Sequence, residues 1–97
     1  MGKTRIIARK RLKEFWERSG CEDAEGPLRA WFKKTEHSKW ENSSDIKADY
    51  SSASILKNGR VVFNIGGNKY RLVVKIEDAA RQVYIRFIGT HKEYDSI

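Results

Sequence analysis

Two runs rich in β-branched and aromatic residues, Arg60-Val61-Val62-Phe63-Asn64-Ile65 and Tyr70-Arg71-Leu72-Val73-Val74-Lys75-Ile76, flank Gly66-Gly67-Asn68-Lys69. This pattern constrains the fold more than any other stretch. Gly and Asn tolerate the positive φ of the primed turns that match strand twist, so the segment predicts a β-hairpin. With Gly67-Asn68 as the two-residue loop, Ile65 faces Tyr70, Asn64 faces Arg71, Phe63 faces Leu72 and Arg60 faces Lys75. Side chains alternate across a strand, so Val61, Phe63, Ile65, Tyr70, Leu72, Val74 and Ile76 line one face. Arg60, Val62, Asn64, Arg71, Val73 and Lys75 line the other.

After a turn over Glu77 to Gln82, Val83, Ile85 and Phe87 continue the apolar face, while Tyr84, Arg86 and Ile88 join the polar one. The result is a three-stranded antiparallel meander. Upstream, Arg5-Ile6-Ile7 suits a short edge strand, and Leu12, Phe15 and Trp16 give helical spacing within Ala8 to Arg18. A second helix is expected from about Asp23 to Lys34, with acids ahead of Pro27 and an apolar stripe of Leu28, Trp31 and Phe32. Between Thr35 and Ser54 the chain is polar; Ser44 to Asp49 suits a short helix capped by Ser43 or Ser44, anchored by Trp40, Ile46 and Tyr50. The fold class is α+β: two N-terminal helices packed on one face of a small antiparallel sheet.

A chain of 97 residues without a composition break makes a single domain, residues 1–97. So short a chain has a thin core, to which Trp16, Trp31 and Trp40 contribute as core or core-edge residues. Lys and Arg number 20 against 13 Asp and Glu, a net charge of +7. The field favours a polyanionic partner, either nucleic acid or an acidic protein. No segment combines a basic face with a broad apolar one, which argues against a membrane surface. Cys21 is the one cysteine, so neither an intramolecular disulfide nor a cysteine-based zinc site can form. With no signal-like apolar run at the N-terminus, a soluble cytoplasmic protein is expected.

The polar sheet face carries Arg60, Asn64, Arg71, Lys75, Tyr84 and Arg86, with Lys69 in its hairpin and His91, Lys92 and Tyr94 just past its last strand. Charged side chains on an outer strand face are ordinarily just solvated. As a group, however, these can hold phosphates and stack an unpaired base, which suits single-stranded RNA. Imidazole is the side chain whose charge changes closest to neutral pH, and His91 lies beside a phenol, a carboxylate and an ammonium. His37 has no such company. Metal-free RNA cleavage needs a base for the 2′-hydroxyl, cations for the phosphorane and an acid for the 5′-oxygen. His91 or Tyr94 can move protons, while Arg71, Arg86 and Lys69 can neutralise charge; which group is base and which is acid stays open. Two His, one Cys and scattered acids give no metal set, and neither metal nor cofactor is expected.

Several blocks together resemble a known pattern: Arg5-Ile6-Ile7-Ala8 with Leu12 and Phe15-Trp16, Ala48-Asp49-Tyr50, Asn58, Arg60 to Ile65, Gly67 to Leu72, and Ile85 to Asp95. The chain resembles the HigB family of bacterial type II toxins, within the RelE-like superfamily. The resemblance covers nearly the whole chain. It departs at Gly66, at Ser19-Gly20-Cys21-Glu22 and at Glu77 to Arg81. It implies a RelE-like fold and an endoribonuclease that cleaves mRNA on the translating ribosome and is neutralised by a HigA-type antitoxin. Its motifs carry over to Arg60, Asn64, Lys69, Arg71, Arg86, His91 and Tyr94. Two rivals share the surface or the fold: a non-catalytic module binding RNA or an acidic peptide, and a topoisomerase-inhibiting toxin of the ParE type.

Overall fold

The computed structural model describes residues 4–77 and 81–97. The chain begins with strand β1 (Arg5–Ile7) and helix α1 (Arg9–Trp16), and a 3-10 turn (Glu22–Ala24) leads into helix α2 (Glu25–Glu36). Helix α3 (Ser43–Asp49), strand β2 (Ser54–Ile55) and a 3-10 turn (Lys57–Gly59) precede β3 (Arg60–Ile65), β4 (Tyr70–Glu77), β5 (Gln82–Thr90) and helix α4 (His91–Asp95). The sheet order is β1-β5-β4-β3-β2. An α+β architecture is therefore observed, but the sheet has five strands and is mixed, because β1 runs parallel to β5 and β2 extends the opposite edge. The expected meander is its centre.

The hairpin forms in the expected register: Ile65 opposite Tyr70, Asn64 opposite Arg71, Phe63 opposite Leu72 and Arg60 opposite Lys75. The Lys69 amide closes the turn on the Gly66 carbonyl at 3.3 Å. Positive φ falls on Gly66 (64°) and Gly67 (74°), so the glycines absorb the left-handed backbone and Asn68 does not.

The third strand breaks its own alternation. Val74 pairs with Ile85 but Val73 pairs with Phe87, so Arg86 is the extra residue of a β-bulge. One inserted residue reverses the faces that follow, which corrects the expected inward Phe87 and outward Ile88. Ile88 packs on the core, while Phe87 lies on the open face opposite Val73. Arg11 of α1 donates to the Ile85 carbonyl beside the bulge (3.0 Å).

The helices cover the other face. Leu12 and Phe15 of α1 and Leu28 and Trp31 of α2 are buried against Val61, Phe63, Leu72, Val74 and Val83. Phe63 is the aromatic hub, with ring centroids 4.9 Å from Tyr50 and 5.5 Å from Trp31, and Trp40 stacked at 6.1 Å. The core and core-edge placement expected for the three tryptophans holds: Trp31 is buried, and Trp16 and Trp40 pack partly exposed against the cluster. Helix α2 starts two residues later than expected because Glu22–Ala24 form a 3-10 turn, and Pro27 sits in its first turn, where a missing N–H costs nothing. Helix α3 is capped one residue ahead of the expected serines, by Asn42, whose side chain accepts the Asp45 amide at 3.1 Å. The middle of the turn expected over Glu77 to Gln82, residues 78–80, lies outside the described residues. Among the described residues no helix is long and apolar enough to cross a membrane.

Candidate active site

Helix α4 follows β5 without a break because Thr90 and Glu93 form a capping box. The Thr90 hydroxyl accepts the Glu93 amide (3.1 Å), and the Glu93 carboxylate accepts the Thr90 amide (2.8 Å). The chain turns there, placing His91, Tyr94 and Asp95 at the end of the sheet beside the β3–β4 hairpin. The His91 amide donates to the Lys69 carbonyl at 3.3 Å, which fastens the helix start to the hairpin turn.

Arg71 is the centre of this corner. Its Nη1 donates to the Asn64 side-chain oxygen Oδ1 across the hairpin, and Nη2 meets His91 Nε2 at 2.6 Å. Its guanidinium also lies 5.9 Å from the centroid of the Tyr94 ring. Asn64 is oriented in turn by donating Nδ2 to the Ser52 carbonyl at 3.4 Å. A guanidinium can only donate, so the short contact fixes Nε2 as the acceptor nitrogen. The ring proton then belongs on Nδ1, which faces the Asp95 carboxylate at 3.5 Å. Asp95, His91 and Arg71 therefore form one chain of polar contacts, with the imidazole lone pair directed at the Arg71 guanidinium. The His91 side chain is 49 % exposed, which leaves it reachable by a large substrate.

Tyr94 is braced on its other side by Phe87, at a ring distance of 6.3 Å. Phe87 reaches this position because Gly89 lies beneath it: a Cβ on Gly89 would stand 2.6 Å from the Phe87 ring tip. From Tyr94 the open face continues as a trough of ≈ 610 Å³ lined by Leu56, Arg60, Val62, Val73, Tyr94, Asp95 and Ile97. The trough gives way to a second hollow of ≈ 480 Å³, where Arg60, Lys75 and Arg86 converge.

The expected site residues thus fall into separate groups. Asn64, Arg71, His91 and Tyr94 are brought together at the corner. Arg60, Lys75 and Tyr84 lie toward the other end of the face, four residues along the strands from Arg71, or ~13 Å, and Arg86 at the bulge lies two to three residues along, or ~7–10 Å. Lys75 is opposite Tyr84 and 3.8 Å from Glu77, and the Tyr84 hydroxyl bonds Gln82. Lys69 turns away from His91 to pair with Asp23, which also accepts the Tyr70 hydroxyl. The Lys69 ion pair and the Tyr70 hydrogen bond hold the Asp23 carboxyl below the usual carboxylate range. That bond, together with burial, pushes the Tyr70 phenol up to about 12. Lys92 is exposed on α4. His37 ends α2, its Nδ1 on the Lys33 carbonyl at 2.9 Å.

Three contributors escaped sequence reasoning. Phe87 was hidden by the bulge, and Asp95 by an unrecognised α4, although Thr90-x-x-Glu93 is a capping signature and residues four apart on a helix are neighbours. Asn68, 3.4 Å from Arg71, carries in the sequence only the signal of a turn residue. Among the described residues no group of three or more His, Cys, Asp or Glu is placed to hold a metal ion.

Known relatives and a family model match the chain. The mRNA interferase toxin HigB of Escherichia coli is 36% identical over 69 residues, covering 69% of this chain and 59% of that protein. The mRNA interferase HigB of Shigella flexneri matches to the same extent. The chain thus spans 59% of the length of the curated relatives it matches. The family model for HigB toxin, the RelE-like toxic component of a toxin-antitoxin system, matches residues 24–97, a segment that holds every side chain of the corner just described. The chain belongs to the HigB toxin family.

Proposed function

We propose that this protein is an endoribonuclease that cleaves mRNA without a metal, on the translating ribosome in the cytoplasm, and so inhibits translation. A HigA-type antitoxin neutralises it, and its sheet and helices are an instance of the RelE-like arrangement. One observation carries the reading: a single guanidinium, Arg71, touches the acceptor nitrogen of His91 and lies against the ring of Tyr94. A fixed cation beside two proton-transfer groups is what in-line attack by a 2′-hydroxyl requires.

The sequence of events follows from these groups. An RNA phosphate entering the corner draws Arg71 onto its oxygens, because a charged bidentate acceptor outcompetes a neutral imidazole. His91 Nε2 is released with its lone pair and takes the 2′-hydroxyl proton. The 2′-oxygen attacks phosphorus, Arg71 neutralises the phosphorane, and the bond to the 5′-oxygen breaks as Tyr94 gives that oxygen a proton. Products are a 2′,3′-cyclic phosphate and a 5′-hydroxyl, and solvent returns the proton from imidazolium to phenolate. Asp95, 3.5 Å from His91 Nδ1, favours the ring proton on that nitrogen electrostatically. Arg60, Lys75 and Arg86 track the backbone, with Lys92 at the exit, while Phe87 and Tyr94 offer ring faces to bases. Lys69 supports the turn from its place on Asp23.

The test is to induce wild type, His91→Ala, Tyr94→Ala and Arg71→Ala in bacteria and to map mRNA 5′ ends. Growth arrest with new cleavage sites in wild type alone is expected. Arrest with intact mRNA and DNA damage supports a topoisomerase-directed toxin instead, and RNA affinity without arrest supports a binding module.

A further inference from the structure

Helix α4 has only five residues, too few to hold a direction by its own hydrogen bonds. Its orientation must come from outside. Two ties supply it, and both start from the connection between α1 and α2, which carries none of the groups assigned to RNA chemistry. In the first, Arg18 forks onto Glu93, with Nη2 2.9 Å from Oε2 and Nη1 3.4 Å from Oε1. The same carboxylate caps the Thr90 amide, so Arg18 grips the residue that starts the helix. Arg18 is itself held, its guanidinium 5.0 Å from the ring centroid of buried Phe15. In the second, Asp23 binds the Lys69 ammonium and the Tyr70 hydroxyl, and the Lys69 carbonyl accepts the His91 amide at 3.3 Å.

We propose that Arg18 and Asp23 are positioning residues for His91 and Tyr94: together they lock the short catalytic helix to the helical layer of the fold. The proposal rests on the RNA-cleaving reading of the corner. Both residues lie ahead of Ala24, where the family match begins. Their energetics set them apart from structural residues. Exposed ion pairs contribute little to stability, so losing Arg18 leaves the fold nearly intact, whereas losing Asp23 also removes the acceptor of the buried Tyr70 hydroxyl. Reaction rate depends far more steeply on geometry, and a displacement of about 1 Å at the reacting groups costs roughly 100-fold.

The experiment is single-turnover cleavage of a labelled mRNA programmed on ribosomes, titrated with each protein. Arg18→Ala and Asp23→Ala are expected to lower the saturating rate about 10- to 100-fold while the half-saturating concentration stays within about 2-fold. Arg18→Lys recovers part of the rate, and Arg18→Ala costs nothing further on a Glu93→Ala background, because residues acting through one contact are not additive. Unchanged saturating rates, or an equal loss from Arg18→Ala on the Glu93→Ala background, overturn the proposal. Should an alanine variant fail to fold, Arg18→Gln and Asp23→Asn carry the same expectation in milder form. NMR of the His91 ring nitrogens in the free protein gives a readout that needs no activity: both alanine variants are expected to shift or broaden them, and unmoved signals overturn the tie. Intact mRNA with wild type would sink the RNA-cleaving reading instead, leaving the ring spectra to decide the tie alone.

Discussion

Adding one methyl group at Gly89 separates the stability of the fold from the geometry of the corner. Gly89 is not among the positive-φ glycines, so its backbone accepts alanine, and Ala in place of Gly inside a strand gains roughly 0.5–1 kcal/mol of chain entropy. Against this stands a collision. The new Cβ would lie 2.6 Å from the Phe87 ring tip and 2.9 Å from Glu93 Oε1, both closer than such atoms approach. Overpacking of this kind costs about 1–3 kcal/mol, at the low end here because the Phe87 ring is half-exposed and can swing outward. The net loss is about 0–0.5 kcal/mol, or no more than roughly 2–4 °C in Tm for a domain of this size. Function should suffer more, since Phe87 braces Tyr94 and Glu93 caps α4. Cleavage is expected to fall about 100-fold, the scale set by a displacement of about 1 Å at the reacting groups. Thermal melts and single-turnover mRNA cleavage measure the two quantities on the same samples. Combining Gly89→Ala with Phe87→Leu, which removes the colliding ring tip, should restore most of the Tm but little of the rate. Full-rate cleavage by Gly89→Ala would refute the claim that Phe87 and Glu93 hold the corner.

Arg71→Ala should lower the saturating cleavage rate about 100- to 1,000-fold, as loss of a transition-state cation does. Arg86→Ala, toward the far end of the face, should leave that rate nearly unchanged and reduce the salt dependence of RNA binding by about one charge; equal effects of the two would merge the groups separated above. On the alkaline side, Tyr70 is raised to about 12, chiefly by its hydrogen bond to Asp23 and by burial. The neutral phenol therefore stabilises the native state; that contribution is complete below the ordinary tyrosine value of ~10 and disappears as pH rises through the folded value. Denaturant melts of wild type and Tyr70→Phe should diverge in that window, and parallel curves contradict the assignment. On the acid side, Asp23 is lowered by Lys69 and Tyr70, and Glu93 by Arg18 and the Thr90 amide. Their stabilisation is present above the usual carboxylate range and lost as pH falls below about 4. Both carboxylates are exposed, so Asp23→Asn with Glu93→Gln should flatten that acid limb only slightly, whereas a steeper limb runs against the sign.

The hairpin was readable to the residue because period-two patterning and a glycine turn both fix register, and they agree from Arg60 to Ile76. The helices were readable from apolar spacing, with boundaries displaced where a 3-10 turn or an earlier cap intervened. The bulge was not, because Tyr84-Ile85-Arg86-Phe87-Ile88 alternates without a Gly or Pro to mark an insertion; pairing with β4 and β1 decides it. The parallel pairing of β1 depends on contacts almost eighty residues away, which local pattern cannot encode. At the site, the grouping of Asn64, Arg71, His91 and Tyr94 followed from register and sequence proximity. Lys69 turned elsewhere because Asp23, a partner from the opposite layer, competes for it.

The chemistry of the cut ends tests the central claim most directly. If Arg71, His91 and Tyr94 direct a 2′-hydroxyl onto phosphorus, mRNA cleaved by the wild-type protein carries a 2′,3′-cyclic phosphate or its 3′-phosphate hydrolysis product upstream and a 5′-hydroxyl downstream, and His91→Ala abolishes both ends. A 3′-hydroxyl with a 5′-phosphate, or equal amounts of the predicted ends from His91→Ala, contradicts it.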